Sequence, residues 1–341
     1  MKRSSTSVGL AIAVLAAACF GMSGAFVKPL LEAGWSPGAA VTVRALTGGV
    51  LLAPIAVYSL RGNWSALWRG RWRVLGMALI GVAGCQLVYF AAIQRIPVGT
   101  AILIEYMAPL LLVAVVWART RAVPKAVVLI GSVVALLGLV FVVSPSGAGS
   151  FDVLGLVFAL LAMVGCAVYY VVAARPSDGL PSVALAAFGL LIGGLALGVT
   201  GLVGAVPFTA SLSDVRLFGE SVAWWVPLLV VGIAATAIAY ATSIAATKML
   251  GSRLASFAGL LEVVFATFYA WLLLGEQLTI LQLLGGALIL AGIAFVRSEK
   301  TDVPLEALLT GPVPTVAAPV ENDRTGSFEA PGEAPRTSID H

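Results

Sequence analysis

Long apolar stretches recur along residues 8–297 of the chain, and polar connections separate them. Each stretch holds about 20 residues, which is enough for an α-helix to cross a hydrocarbon core of roughly 30 Å. The pattern predicts ten membrane spans, over 8–27, 37–59, 74–94, 98–117, 124–144, 153–173, 182–205, 223–246, 253–273 and 279–297. The connections are short except 206–222, so the chain is expected to be an all-α polytopic membrane protein with ten transmembrane helices.

Composition and the rare residue types narrow the function classes. Hydrophobic residues make up 60% of the chain, charged residues make up 11%, and the mean hydropathy is +1.04. Because a soluble domain carries roughly 25% charged residues, that class is excluded. The only histidine is His341, and Cys19, Cys85 and Cys166 lie inside apolar stretches without metal-ligand spacing. Histidine-based chemistry within the membrane is therefore excluded, and the chain is expected to be neither an enzyme nor a cofactor protein.

Basic residues in the connections predict the orientation in the membrane. Connections that are rich in Lys and Arg stay in the cytoplasm. One side of the predicted arrangement holds 14 basic residues, and the other holds three, namely Lys28, Arg95 and Arg216. We therefore expect a multi-pass protein of the cell (inner) membrane with both termini in the cytoplasm.

All eight tryptophans lie at predicted span ends or in connections. This placement is typical of an aromatic belt at the membrane surface. The segment WSALWRGRWR, residues 64–73, interleaves Trp with Arg, which would also suit a nucleic acid. We interpret it as a cytoplasmic connection at the lipid interface, so membrane lipids are expected partners and nucleic acid is not.

Residues 298–341 differ in composition from the rest of the chain. They are rich in Pro, Glu, Thr and Ser, and three basic residues face eight acidic ones. Such a segment cannot bury enough apolar surface to order itself. It is predicted to be a disordered, acidic, proline-containing cytoplasmic tail.

The chain repeats itself at spacings of 146–154 residues. The matching pairs are GLAIAVLAAACF and GLVFALLAMVGC (9–20, 155–166), GCQLVYFAAI and ATAIAYATSI (84–93, 235–244), and GSVVALLGLVFV and GGALILAGIAFV (131–142, 285–296). The second pair places Tyr89 opposite Tyr240. The domains are therefore two five-helix repeats, 1–147 and 148–297. Because five is odd, the repeats are expected to be inverted, which is typical of alternating-access carriers.

Several segments resemble the EamA-type proteins of the drug/metabolite transporter superfamily, and together they cover residues 8–297. The segments are FGMSGAFVKPLLEAGWSP (20–37), VRAL (43–46), AILIEYMAPLLL (101–112) and, most specifically, LLEVVFATFYAWLLLGEQLTILQLLGGALILAGIAF (260–295). They are similar to the first, second, fourth, ninth and tenth helices of that family. The resemblance implies a ten-helix fold and the movement of small metabolites, often by export.

The resemblance also concerns single positions. Arg44 and Pro109 stand where the family has an arginine and a proline, and LLLGE ends at Glu276. The family usually has a proline after the position of Glu262, where this chain has Val263. This departure weakens the expectation of a helix break in the second half.

The stretch AILIEYMAPLLL places a glutamate and a proline four residues apart inside an apolar span. A charged side chain at the centre of a membrane helix costs about 2.5–3.5 kcal/mol. Pro109 has no amide hydrogen, so the carbonyl of Glu105 loses its helical partner. Such backbone polarity is tolerated only against protein or a water-filled cavity. We therefore expect Glu105 to anchor a solute in a central cavity. The alternative is a structural ion pair with Arg44.

Further polar residues inside the spans complete a candidate substrate site. Glu262 lies in span nine, which follows span four by the repeat, so it is expected to approach Glu105 from the opposite half. Either carboxylate could carry a proton, because burial favours the neutral acid. Arg44 either binds a substrate carboxylate, snorkels towards the membrane surface or pairs structurally, and three tyrosines either offer hydroxyls or serve packing or the lipid interface. Glu276 is expected to have a helix-turn role. The candidate substrate-binding residues are Glu105, Glu262, Arg44, Tyr89, Tyr240, Tyr106 and Pro109.

These observations favour a secondary transporter that moves small organic solutes by alternating access and exports amino acids or related metabolites. A multidrug exporter or a lipid-carrier flippase is the alternative within transport. An intramembrane enzyme, and a membrane scaffold or receptor acting through the tail, are the alternatives from other classes. The expected partner is a small-molecule solute, while proton coupling and a homodimer are left open.

Overall fold

The computed structural model of the chain describes residues 2–121, 124–143, 152–174, 179–217, 219–277 and 279–298. The predicted tail lies outside these ranges except for Ser298. The described part is helical apart from one small hairpin. Its elements are α1 (Lys2–Glu32), α2 (Pro37–Ser59), α3 (Trp64–Arg69), α4 (Arg71–Gly76), α5 (Cys85–Ile93), α6 (Val98–Glu105), α7 (Ala108–Thr120), α8 (Ala126–Val143), α9 (Val153–Ala174), α10 (Ser182–Leu202), β1 (Val215–Leu217), β2 (Glu220–Val222), α11 (Trp225–Leu229), α12 (Ala239–Gly259), α13 (Leu261–Leu274) and α14 (Ile280–Ser298).

Seven helical segments of the described chain are long and apolar enough to cross a membrane. They are Ser7–Glu32, Pro37–Ser59, Arg71–Ile93, Val98–Arg119, Val153–Ala173, Ser182–Leu202 and Trp225–Leu250. Three shorter apolar helices, Ala126–Val142, Leu261–Leu274 and Ile280–Val296, lie where the other three spans are predicted. The all-helical, multi-pass character is confirmed, and the count of ten spans stays a prediction.

Local sequence explains where several helices begin and end. Ser36 precedes α2, and its hydroxyl accepts a hydrogen bond from the Ala39 amide at 3.3 Å, while Pro37 occupies the first turn. These are the preferred residues at a helix start. An example of a helix end is α13, whose last residue is followed by Gly275. Gly275 has a left-handed φ of 66°, which glycine adopts most easily.

Two π-helical segments interrupt the spans at equivalent places in the repeat. They are Met77–Gly84, between α4 and α5, and Val230–Ile238, between α11 and α12. Their starts are 153 residues apart, within the spacing at which the sequence repeats. π-Helical turns are rare and are enriched at functional sites. Their recurrence therefore indicates that this span is functionally important in both repeats.

Helices α8 and α14 pack against each other through glycines. A Cβ atom added to Gly131 would lie 2.7 Å from the carbonyl oxygen of Gly292, and one added to Gly138 would lie 2.5 Å from that of Gly285. As α8 proceeds from 131 to 138, its partner glycines therefore run from 292 back to 285, so the helices are antiparallel. Only glycine permits this closeness of the two backbones.

Each half packs its first helix against the other half. A Cβ added to Gly9 of α1 would lie 2.8 Å from the side chain of Leu250 in α12. The equivalent Gly155 of α9 lies in the same way against Ile96, just after α5, at 2.7 Å. The two halves thus exchange their first helices. The space between them is bounded by residues from both repeats.

Three features of the fold were not expected from the sequence. The connection 206–222 contains an antiparallel hairpin in which Val215 pairs with Val222. The predicted connection 247–252 is helical, because α12 continues to Gly259. A helix break at Leu260 then separates α12 from α13, although no proline is present there.

Candidate functional site

A cavity of about 220 Å³ lies between the two halves of the chain. Six of the seven predicted site residues line it: Arg44, Tyr89, Glu105, Tyr106, Tyr240 and Glu262. They come from α2, α5, α6, α12 and α13 and from the turn after α6. Pro109 is not among the lining residues. The fold therefore assembles in one place side chains that are up to 218 residues apart in the sequence.

The Glu105 carboxylate is the last side chain of α6 and is buried, with only 8% of its surface exposed. Its Oε1 accepts a hydrogen bond from the Cys85 thiol at 3.4 Å, and that thiol also lies 3.4 Å from the carbonyl oxygen of Ala162. No described residue bonds its Oε2. In the described part of the chain Glu105 forms no ion pair with Arg44, which was the alternative expected from the sequence.

The Arg44 guanidinium is held by neutral partners from both halves. Its Nε donates to the hydroxyl of Thr236 at 2.9 Å, and its Nη1 donates to the side-chain oxygen of Gln86. The Phe90 ring lies beneath it, with the ring centre 5.7 Å from Cζ. These contacts fix the direction of the side chain, and among the described residues no carboxylate lies within salt-bridge distance of its positive charge. A buried cation of this kind favours an anionic group brought by a ligand.

Thr236 is a residue that sequence reasoning missed. It lies in the second π-helical segment and is fully buried. Its hydroxyl donates to the carbonyl of Val231 at 2.8 Å, five residues earlier, and accepts from Arg44. A threonine in an apolar span carries no signal of this role, because the contact joins residues 192 apart.

Glu262 lies in the first turn of α13 and accepts a hydrogen bond from the hydroxyl of Tyr106. Because Tyr106 follows Glu105 directly, this bond brings a carboxylate of the second half to the residue next to the carboxylate of the first half. The predicted approach of Glu105 and Glu262 from opposite halves is consistent with this geometry.

Helix breaks place both carboxylates beside the cavity. Helix α6 ends at Glu105, and α7 begins at Ala108 with Pro109 in its first turn, where a missing amide costs no intrahelical bond. The break at Leu260 has the equivalent place in the second half, 154 residues after Tyr106. Pro109 therefore acts on the backbone near Glu105 rather than as a wall of the cavity.

Aromatic rings form much of the remaining cavity wall. Phe20 meets Tyr240 edge to face, with ring centres 5.1 Å apart, and Tyr169 and Tyr170 of α9 also line the cavity. These two tyrosines were not among the predicted site residues, although two adjacent phenols in an apolar span were a usable signal. Ser23 lines the cavity as well, and its buried hydroxyl has no hydrogen-bond partner among the described residues. Such a hydroxyl suits a bound solute or water.

Glu276, which was expected to have only a helix-turn role, also joins three helices. It follows Gly275 at the end of α13, and its Oε1 lies 2.5 Å from the ammonium group of Lys28. Its Oε2 accepts from the backbone amide of Val98 at 3.0 Å. The carboxylate thus joins α1, α6 and α13 outside the cavity.

The multi-pass helical fold, with two exchanged halves around a polar cavity, defines a membrane protein of the transporter class. Residues 7–144 and 153–298 each match the EamA-like transporter family, and the chain belongs to that family. This confirms the resemblance found in the sequence. The chain is also similar to an uncharacterized transporter of Archaeoglobus fulgidus, with 26% identity over 212 residues, 62% of this chain and 71% of the relative.

A solved structure described only as the crystal structure of a protein has the same fold. It matches with a TM-score of 0.54 and 21% identity, over 86% of this chain and 96% of that chain. At this level of identity the match supports the helical architecture alone.

Proposed function

We propose that the protein is a secondary transporter that moves small organic solutes across the cell (inner) membrane by alternating access. The observation that carries this proposal is the cavity between the two repeats, which is lined by charged groups from both halves. A site at the interface of two repeats is reached from alternate sides when the halves rock against each other. Both termini are proposed to be cytoplasmic, with the repeats divided as 1–147 and 148–297.

Contacts between equivalent residues support an inverted relation of the two halves. The repeat spacing of 154 residues relates Gly131 to Gly285 and Gly138 to Gly292. The contact between Gly131 and Gly292 is therefore equivalent to the contact between Gly285 and Gly138. A two-fold axis that crosses an antiparallel helix pair produces this exchange of partners. The helices α8 and α14 would then form a symmetric contact around which the halves are arranged.

A second helix pair shows the same exchange. A Cβ added to Gly49 of α2 would lie 2.8 Å from Leu191 of α10, and one added to Gly194 would lie 3.0 Å from Leu46. A shift of 145 residues converts the first contact into the second. Two independent pairs thus favour one approximate two-fold axis in the membrane plane.

The polar atoms of the cavity favour a zwitterionic solute such as an amino acid. Glu105 Oε2 and Arg44 Nη2 have no hydrogen-bond partner among the described residues, so one can accept from an ammonium group and the other can donate to a carboxylate. The cavity volume of about 220 Å³ is below the roughly 300–1,000 Å³ that is typical for drug-sized ligands. This favours a small metabolite over the multidrug alternative, and we propose export as its direction.

Binding and transport by reconstituted protein test this proposal. Glu105→Gln keeps the volume of the side chain and removes its charge, and the matched control is Glu32→Gln, an exposed carboxylate at the end of α1. We expect Glu105→Gln to weaken binding of zwitterionic and cationic solutes at least about tenfold, which corresponds to a hydrogen bond with a charged group. The control is expected to behave like the parent. If Glu105→Gln binds and transports each solute like the parent, the role of Glu105 is structural.

A further inference from the structure

We infer that Lys28 and Glu276 form a gate that closes one end of the cavity. The inference rests on the proposed transporter function and adds a moving part to it. The gate residues lie on the side of the membrane that the basic residues predict to be external, and this side is called the outer side here. The opposite side of the cavity is proposed to admit solute from the cytoplasm.

The two charged groups of the gate are largely buried and tightly joined. Lys28 Nζ and Glu276 Oε1 are 2.5 Å apart, and their side chains are only 17% and 13% exposed. The same carboxylate accepts from the amide of Val98 at 3.0 Å. Val98 is the first residue of α6, where backbone amides lack an intrahelical partner and favour an anion. Glu276 therefore holds the start of α6 and the end of α1 at once.

The position of Lys28 places this contact just beyond the cavity. The lining on α1 follows one helical face through Ala17 and Phe20 and ends at Gly24. Lys28 lies one turn further on the same face, because side chains four residues apart are neighbours on a helix. A Cβ added to Gly24 would lie 2.7 Å from the Tyr89 hydroxyl and 2.6 Å from the Val98 side chain. This packed layer separates the cavity from the ion pair.

Helix α6 connects the gate to the site. It contains only the eight residues from Val98, which is bonded to Glu276, to Glu105, which faces the cavity. At 1.5 Å per residue the helix is about 12 Å long, so its two ends cannot move independently. A change of occupancy at Glu105 can therefore be transmitted to Val98, and loss of the contact at Val98 can be transmitted to Glu105.

The sequence has uncharged residues at the positions that the repeat relates to Lys28 and Glu276. Helix α7 is followed by Arg121, which has a left-handed φ of 57°. Arg121 lies 154 residues before Gly275, which is also left-handed. The next residue is Ala122 in the first half and Glu276 in the second. At the 146-residue spacing of the first helices, Lys28 corresponds to Ala174. The sequence thus has a lysine and a glutamate at one pair of repeat-related positions and two alanines at the other.

Chemical labelling from each side of the membrane tests the gate without requiring an identified solute. Ser243, which lines the cavity, is replaced by cysteine as a reporter, and a membrane-impermeant maleimide is applied to right-side-out and inverted vesicles. Peptide mass spectrometry separates this cysteine from the native ones. We expect the parent to label from the cytoplasmic side and to be protected from the outer side.

Breaking the ion pair is expected to expose the reporter to the outer side. Glu276→Gln and Lys28→Met should each raise the rate of outer labelling at least roughly tenfold, because each removes a charge-assisted bond. The charge-swapped variant, Lys28→Glu with Glu276→Lys, should regain part of the protection. The matched control is Asp152→Asn, which breaks the more exposed outer pair of Asp152 with Arg95, 3.2 Å apart, and should label like the parent.

Three results would overturn the gate. The first is outer labelling of both single variants at the rate of the parent, in protein that elutes as a single species. The second is a charge-swapped variant that labels as fast as the single variants. The third is a parent that labels from the outer side. If solute binding persists with any of these results, only the gate fails. If the parent binds no solute while the gate variants respond as expected, the proposed solute class fails instead.

Discussion

Replacement of Gly285 by alanine tests the close contact of α8 with α14. An added Cβ would lie 2.6 Å from the carbonyl oxygen of Gly138 and 2.8 Å from the Phe141 side chain, whereas ordinary contact begins at 3.4 Å. The helices would have to separate by about 0.8 Å on the oxygen side alone. Overpacking of this kind costs about 1–3 kcal/mol.

The neighbouring Gly286 provides the matched control. A Cβ added there would have the Leu103 side chain as its nearest neighbour, at 3.4 Å, so alanine fits. Both variants gain the same helix propensity, about 1 kcal/mol for Gly→Ala, so their difference isolates the clash. We expect Gly285→Ala to be less stable than Gly286→Ala by about 1–3 kcal/mol.

Thermal unfolding of the purified protein in detergent measures this difference. A change of 1 kcal/mol shifts Tm by roughly 2–4 °C for a fold of 150–250 residues and by less for a longer chain such as this one, so Gly285→Ala is expected to unfold a few degrees below Gly286→Ala. A Tm of Gly285→Ala equal to or above that of Gly286→Ala would show that the two helices do not depend on this contact. The symmetric arrangement of the halves would then lose one of its two supports.

Three further outcomes are expected. A reporter fused after residue 300 should be cytoplasmic and one inserted near Ser211 should be external; finding both on one side would contradict the inverted repeat. If Glu262 carries a coupling proton, Glu262→Gln should abolish pH-driven uptake and leave solute exchange partly intact, because an amide cannot titrate; a pH dependence equal to that of the parent would refute proton transfer there. At the start of α9, a hydrogen bond from the Gly155 amide lowers the pKa of Asp152 below 3.8, its ordinary value. Its stabilising contribution is therefore present above pH 3.8 and is lost as the pH falls through the lowered pKa, so the stability difference between the parent and Asp152→Asn, measured by unfolding, should shrink on acidification.

Local sequence was sufficient for the placement of most helices. Lipid requires long apolar stretches whose backbone groups are satisfied internally, and this requirement leaves a direct pattern in the chain. The repeat was also readable, because equivalent spans keep similar residues at similar spacing. The placement of Tyr89 opposite Tyr240 followed from it, and both line the cavity.

Other local features were misjudged because their causes lie elsewhere in the fold. Residues 247–252 were predicted to connect two spans, but they lie inside α12, which continues past Gly251 to Gly259. The break at Leu260 was not expected without a proline. It recurs at the place equivalent to Tyr106, so the repeat predicted it better than the local residues did.

The sequence by itself therefore determined the class of the protein, the places of most of its apolar helices, its repeat and the presence of charged residues inside those helices. It did not determine what those charged groups contact. Arg44 meets Thr236, and Lys28 meets Glu276 across 248 residues. Only the tertiary structure decides such pairs, because they arise where α1 and α2 of the first half pack against helices of the second half. Hydrophobic periodicity records which face of a helix avoids water or lipid, but it does not record which helix will cover that face.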